Sequence, residues 1–209
     1  QNMPETENVY ATKYTMGELQ LSRNEFLAEE DWSDYFKYQN KEPYFIQRCD
    51  GICNQQEDGN YRIKYNVYGY DEAMIEQLQD FILEGEIQPE TMKNKNQVIV
   101  TANMDGQGNY YFYGKKPGDK ISLRVPKTEN YTDELLKFQS GEENYIEKEF
   151  EIAAIVNRPL AQEKDFLNTE VWTNAQSVIM TDEQMEENFG ITDYSFINAS
   201  PSDGADSES

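Results

Sequence analysis

The side chains able to do chemistry in this 209-residue chain are carboxylates, phenols, hydroxyls and two thiols: it has 40 Asp plus Glu, 15 Tyr and 2 Cys, but no His. Acid–base work near neutral pH usually recruits imidazole, so Ser-His-Asp and Cys-His nucleophile systems cannot be built, and the commonest hydrolases are excluded. A glycoside hydrolase could still run on two carboxylates facing each other across a cleft. With so many acids some pair always exists, and no local signature singles one out. We read the chain as not an enzyme, with no catalytic residue, no cofactor and no metal ligand.

The remaining constellations are weaker. Cys49 and Cys53 lie four apart, a spacing that either closes a small disulfide loop in an oxidising compartment or leaves two reduced, half-buried thiols. Without further Cys or any His they do not make a zinc site. Gly106-Gln107-Gly108 follows a strand but lacks the third glycine and the helix of a dinucleotide fingerprint, and Asp105 to Asn109 lacks the acid spacing of a calcium loop, so both read as a hairpin tip. From Asp71 to Met92 there are seven acids and no Lys or Arg. Of these, Glu76, Asp80 and Glu84 could form a landing face for a cationic peptide, against the plainer reading as the wet side of an amphipathic helix and its exit loop. Tyr110, Tyr111, Phe112 and Tyr113 could stack on sugars or peptides at a loop tip. Alternatively, two of the four face the core of a short strand.

The bulk composition bounds what such residues can serve. Hydrophobic residues make up 37% of the chain and it carries 10 Phe and 2 Trp besides the tyrosines, enough large apolar surface for a folded domain. The formal charge of −22 repels phosphate backbones and anionic headgroups, which disfavours nucleic acid as a partner. No run of about eighteen apolar residues occurs, so no membrane insertion by this segment is expected. The chain opens on Gln1 with no signal peptide and closes in the polar run Pro201 to Ser209. We read both as cuts from a longer protein.

The elements that must position these groups follow from periodicity. The first twelve or so residues read as an irregular lead-in and Met16 to Leu21 as a strand. Trp32, Tyr35, Phe36 and Gln39 recur at helical spacing over 29–40, and Tyr44 to Cys49 reads as another strand. Tyr61 to Tyr68 alternates apolar residues with Arg62, Lys64 and Asn66, the pattern of a strand with one wet face. Asp71 has N-cap chemistry, and Met74, Ile75, Leu78, Phe81 and Ile82 form a helical stripe that Gly85 would close. Further strands are expected at Val98 to Ala102, at Ile121 to Val125 and at Phe150 to Val156, the last two as a hairpin around a polar insert, Lys127 to Asn144. Ser177 to Met180 is a strand, Thr181 with Gln184 fits a capping box, Gly190 ends that helix, and Tyr194 to Asn198 is a last strand. Strands interleaved with a few helices predict an α+β fold with mixed sheets.

The order of these elements resembles the extracytoplasmic core domain of MacB/FtsX-like ABC transporter permeases. The likeness is carried by Val67-Tyr68-Gly69-Tyr70-Asp71, Asn96 to Val100, Pro117-Gly118-Asp119-Lys120-Ile121-Ser122-Leu123, Phe150 to Val156, Ser177 to Met180, and Phe196-Ile197-Asn198 followed by Asp203 to Asp206. It covers roughly Tyr61 to Glu208, and the long polar insert departs from the family's compact hairpin. The resemblance implies two lobes, a porter-like α/β subdomain from 1–100 with 171–209 and an inserted, mostly-β subdomain from 101–170. It also implies a non-catalytic extracellular domain on the outer face of the cell membrane. That domain would couple motion driven by a cytoplasmic ABC ATPase subunit, in a permease dimer, to export of a substrate or engagement of a surface protein. The rival expectations are a free-standing surface module for glycan or peptide and, more weakly, the two-carboxylate hydrolase.

Overall fold

The structure, a computed structural model, describes residues 6–27, 53–104, 109–127, 141–157 and 177–201. Cys49, the expected helix at 29–40 and strand at 44–49, residues 105–108 of the hairpin tip and 128–140 of the insert lie outside these residues.

Six strands close into a barrel: β1 (Thr6–Leu21), β7 (Lys120–Pro126), β8 (Tyr145–Asn157), β5 (Gln97–Met104), β9 (Ser177–Thr181) and β3 (Tyr61–Tyr70), which returns to β1. The ring is mixed. β3 runs parallel to β9 from Asn66↔Ser177 to Tyr70↔Thr181, and β5 runs parallel to β8 with a bulge between Val98 and Ile99; the other four seams are antiparallel. Short strands extend it: β2 (Cys53–Gln55) on β3, β4 (Ile82–Gly85) on β8, β6 (Tyr110–Tyr111) on β5, and β10 (Phe196–Pro201) on the first half of β1. Among the described residues the α-helices are α1 (Arg23–Leu27), α2 (Glu72–Gln77), α3 (Pro89–Lys95) and α4 (Asp182–Phe189), so the α+β class holds.

The expected two lobes do not form. β7 and β8, placed in the inserted lobe, hydrogen-bond into the same ring as β1, β3 and β9, and the boundary after residue 100 falls inside β5. Closure removes the open edges that two separate sheets would each leave, and lets one interior take apolar residues from both segments.

That interior is built from alternate positions. Leu19, Leu21, Tyr61, Ile63, Tyr65, Val67, Val98, Val100, Leu123, Val125, Phe150 and Val178 meet inside. Phe26 of α1 stacks on Tyr61, at the start of β3, with ring centroids 3.9 Å apart. Toward the other end of β3, Gly69 leaves room for Met185 of α4, whose Cγ would stand 2.5 Å from a Cβ there. The outward faces divide into two walls. On one, Tyr68, Tyr70, Ile99, Ala154, Val156 and Ile179 pack against Met74, Ile75 and Leu78 of α2 and the turn after it, and against Met92 of α3.

Several local expectations change. Residues 6–12 are strand, not lead-in, because β10 supplies their hydrogen bonds from Thr6↔Pro201 to Thr12↔Phe196. Asp71 caps α2 by accepting from Met74 N at 2.8 Å, as expected, but α2 ends at Gln77, a 3-10 turn follows over Leu78–Phe81, and Ile82 to Gly85 is β4. Gly85 therefore closes no helix. With φ at +93° it lets β4 press against Ala153 and Ala154 of β8. α3 was not anticipated, having Met92 as its one buried side chain, yet Pro89 starts it and Asn96 ends it in the left-handed region. β8 begins at Tyr145 rather than Phe150 and does pair with β7 as a hairpin, in the register Ile121↔Phe150. The Thr181–Gln184 capping box and the left-handed Gly190 are both present on α4.

Candidate functional site

The second wall of the barrel is ionic. Outward positions of β3, β1, β7 and β8 align in rows, so that Lys64, Glu18, Arg124 and Glu147 are successive cross-strand partners, with Arg62, Gln20, Ser122 and Glu149 in the next row. Alternation alone would leave this face wet, and that was the expectation for Arg62, Lys64 and Asn66. Instead Lys64 is 4% exposed, Asn66 2%, Glu18 4% and Arg124 1%; only Arg62 remains partly open. A face of ions is buried at the cost of several kcal/mol per unpaired charge, so each needs a partner in reach.

The turn from Gly141 to Tyr145 supplies partners for this wall. Tyr145 lays its ring over the Arg124 guanidinium, 4.0 Å from Cζ to centroid, and donates its hydroxyl to Glu18 Oε1 at 2.8 Å. Glu142 accepts from Arg124 Nη1 on both oxygens, at 3.1 and 2.9 Å, and from Arg62 Nη2 at 3.0 Å. Glu18 Oε2 lies 3.6 Å from Arg124 Nε, beyond hydrogen-bond reach, and Nε is a buried donor without an acceptor. Gln20 bridges outward, accepting from Arg62 Nε and donating to Ser122 and Glu147.

Burial dominates the proton affinities inside this wall. It raises Glu18 above the ordinary carboxylate value, against the opposing pull of the Tyr145 hydrogen bond and of Arg124, Arg62 and Lys64. It pushes the Lys64 ammonium down to about 8, with Glu18 acting the other way. Glu142, in water, is lowered chiefly by its bond to Arg62 and then by Arg124. Perturbed groups of this kind mark functional sites as well as structural networks. Glu18 lies buried beneath Tyr145, whereas the carboxylate that Arg124 and Arg62 share, Glu142, is exposed.

The candidates from the sequence fall elsewhere. Phe112 and Tyr113 are each 3% exposed and belong to the interior, with Tyr113 and Tyr65 joined by their hydroxyls at 3.1 Å; they are not a loop tip. Tyr110 and Tyr111 form the short strand and are half-buried, so two of the four aromatics do serve the core, but from the turn after that strand and not from its alternate positions. Glu76 is exposed on α2, Asp80 is exposed on the 3-10 turn and Glu84 sits on β4, so the three share no helix face. The structure does bring Glu84 to Tyr110. The phenol donates to Glu84, as does Lys116 Nζ at 3.0 Å, and Lys116 stands 5.1 Å over the Tyr110 ring. Those bonds, the phenol's first, hold Glu84 below its ordinary value. Cys53 is buried with a free thiol. Among the described residues no three His, Cys, Asp or Glu side chains gather as metal ligands, and no helix is long and apolar enough to cross a membrane.

The ionic wall was missed because each strand was read alone. The signal lay between strands: two that present cations outward, Arg62 and Lys64 on one and Arg124 on the other, flank one that presents Glu18. Opposite charges directly across a ladder are a pairing preference. No protein-family model matches the chain and no curated protein is similar to it.

Proposed function

We propose that the chain is the non-catalytic extracellular domain of a MacB/FtsX-like ABC permease. In that role it would pass motion, driven by an ATPase on the other side of the membrane, to an exported substrate or a surface partner. The observation that carries this reading is the pairing of Thr6 with Pro201 at the far end of the β1–β10 ribbon. Cross-strand partners lie about 5 Å apart, so the chain enters and leaves the barrel side by side, as a domain held between two neighbouring membrane segments must. Closely spaced ends also suit insertion into a host chain generally. The ladder runs from that ribbon straight into the barrel wall through β1, a continuous sixteen-residue strand. A pull at the ribbon would therefore reach the ionic wall at Glu18 without crossing a hinge.

The rival readings draw less support. A glycan or peptide module built on Tyr110 to Tyr113 loses half its stacking surface to the core. A two-carboxylate hydrolase would need reachable acids, and Glu18, the buried carboxyl with raised proton affinity, is sealed.

The test is made on the intact gene product in its own membrane, with an epitope inserted at the exposed Asp58–Gly59 turn. Binding of antibody to unpermeabilised cells, together with co-purification of an ATPase subunit, is expected. Access only after permeabilisation, or an intact product that purifies without any ATPase, would overturn the reading.

A further inference from the structure

We infer that Arg124 and Arg62 form a recognition site for the acidic side chain of a peptide, and that Glu142 is its exchangeable internal occupant. The contrast in exposure is the first ground. The Glu142 side chain is 71% exposed, while the Arg124 side chain it grips is 1% exposed and that of Arg62 19%. An exposed carboxylate on a buried cation also occurs at Glu186 and Lys13, 58% and 4% exposed; what sets Glu142 apart is that two arginines share it.

The preparation is the second ground. Tyr145 fixes the plane of the Arg124 guanidinium by stacking on it, and Glu18 backs it from beneath. Arg62 is oriented by Gln20. Such orientation costs a ligand nothing when it arrives, which is how preorganised sites gain affinity. The Arg124 Nε–H lies 3.6 Å from Glu18 Oε2, buried and without an acceptor, so on this arginine the occupant is held through Nη1. Arg124 Nη1 reaches both oxygens of the carboxylate, at 3.1 and 2.9 Å, and Arg62 Nη2 reaches one of them at 3.0 Å, so two arginines share one anion through charge-assisted hydrogen bonds.

The occupant sits on a short turn. It opens a three-residue 3-10 turn after Gly141, whose φ is +104°, tied by Tyr145 N to Glu142 O, by Asn144 N to Gly141 O at 3.2 Å and by Lys127 N to Asn144 O at 2.9 Å. With Glu142 swung out, Arg124 and Arg62 lose the carboxylate they share, on a wall where Arg62, Lys64 and Arg124 stand against Glu18, Glu147 and Glu149. In a chain whose net charge is −22, an anion arriving from outside is repelled by the surface at large and drawn to the guanidinium donors so freed. The inference does not depend on the membrane reading above.

The test uses the 209-residue chain and three acetylated, amidated tripeptides with Glu, Gln or phosphoserine at the centre of two alanines, and free N-acetylalanine. Melting temperature and the Arg124 Nε–H resonance are the readouts. In Glu142→Ala the melting temperature should drop and the Glu peptide should restore it, shifting the Arg124 resonance, with an affinity at least tenfold above that for the wild-type chain, where Glu142 competes. The Gln peptide should do neither, and adding Arg62→Gln should weaken the Glu peptide severalfold. If Glu142→Ala does not fold, Glu142→Gln, which keeps one acceptor on Arg124, is titrated instead. Equal affinity for wild type and variant, no shift at Arg124, or tighter binding of phosphoserine or of the acetylalanine terminus would each overturn the assignment.

Discussion

Glu18→Gln should leave the protein as stable at pH 7 as the wild type, or slightly more stable, although it removes the anion from the most buried ion pair in the barrel wall. At 3.6 Å, and with the effective dielectric of about 20 that suits protein interiors, the Glu18–Arg124 attraction is worth roughly 4–5 kcal/mol gross. Against it stands the desolvation of two ions with 6% and 1% exposed side chains, several kcal/mol each. The direction of Glu18's proton affinity says which is larger: it is raised even with Arg124, Arg62 and Lys64 present, so ionising this carboxyl costs more in the fold than in water. The sign follows by linkage. A carboxyl raised in the folded state contributes stability fully below its unfolded value, near 4.5, and loses it as pH rises through the folded value. Each pK unit of elevation is about 1.4 kcal/mol that a neutral isostere does not lose. Gln keeps an oxygen for the Tyr145 hydroxyl, and Arg124 keeps Glu142. Urea unfolding of both proteins at pH 4 and pH 7 should show the variant gaining on the wild type between them, with a difference within about 1 kcal/mol at pH 4. A loss of about 3–5 kcal/mol at pH 7 that is absent at pH 4 is what breaking a net-stabilising buried pair would give, and it would refute this account of the wall.

Lys64 titrates in the complementary sense. Its folded value of about 8 lies below the ordinary 10.5, so wild-type stability is lowest below pH 8 and recovers as pH climbs toward 10.5, by at most ~3 kcal/mol. Lys93, Lys116 and Lys120 are raised by their glutamate partners and drift oppositely at the alkaline end, so the measurement is the difference between wild type and Lys64→Met in urea at pH 7 and pH 9.5. Any advantage of the variant should shrink across that interval, and a gap independent of pH would count against burial as the cause. Gly85→Ala should cost ~3 kcal/mol or more, from the left-handed backbone plus a Cβ placed 2.3 Å from Ala153 O and 2.8 Å from Ala154 Cα. Gly59→Ala, at a similar φ of +86° but in open space, should cost about 1–2 kcal/mol, and equal thermal losses in the two would show that β4 does not press on β8 as described.

Elements whose signals are local were legible. The Asp71 and Thr181 caps, the Pro117–Gly118 turn and the strands β3 and β7 each depend on residues within a few positions of one another, and all appear where the sequence placed them, although the wet face expected of β3 is buried. What failed depended on a distant partner. Residues 6–12 carry no strand pattern, yet β10 makes them a strand; the apolar stripe continuing through Phe81 and Ile82 is broken because Ile82 is wanted by β8, 74 residues on, as the partner of Val156. Tyr110 to Tyr113 shows both cases in four residues, two aromatics half-open and two drawn inside by Tyr65.

The ionic wall carries this furthest. Period-2 alternation states which residues share a face; it does not state what lies against that face, and in a closed barrel the outward face is only wet where nothing is laid over it. On the wall covered by α2 and α3 the outward residues are apolar, so the sequence announces the cover. On the opposite wall the outward residues are charged because the groups they meet are Glu142 and the Tyr145 hydroxyl, polar groups from a turn after a long insert. Charged side chains there are compatible with burial only while those partners stay in place. A displaced Glu142 leaves Arg124 and Arg62 one anion short on an already stacked and oriented surface, and a second carboxylate is the cheapest group to make up the deficit.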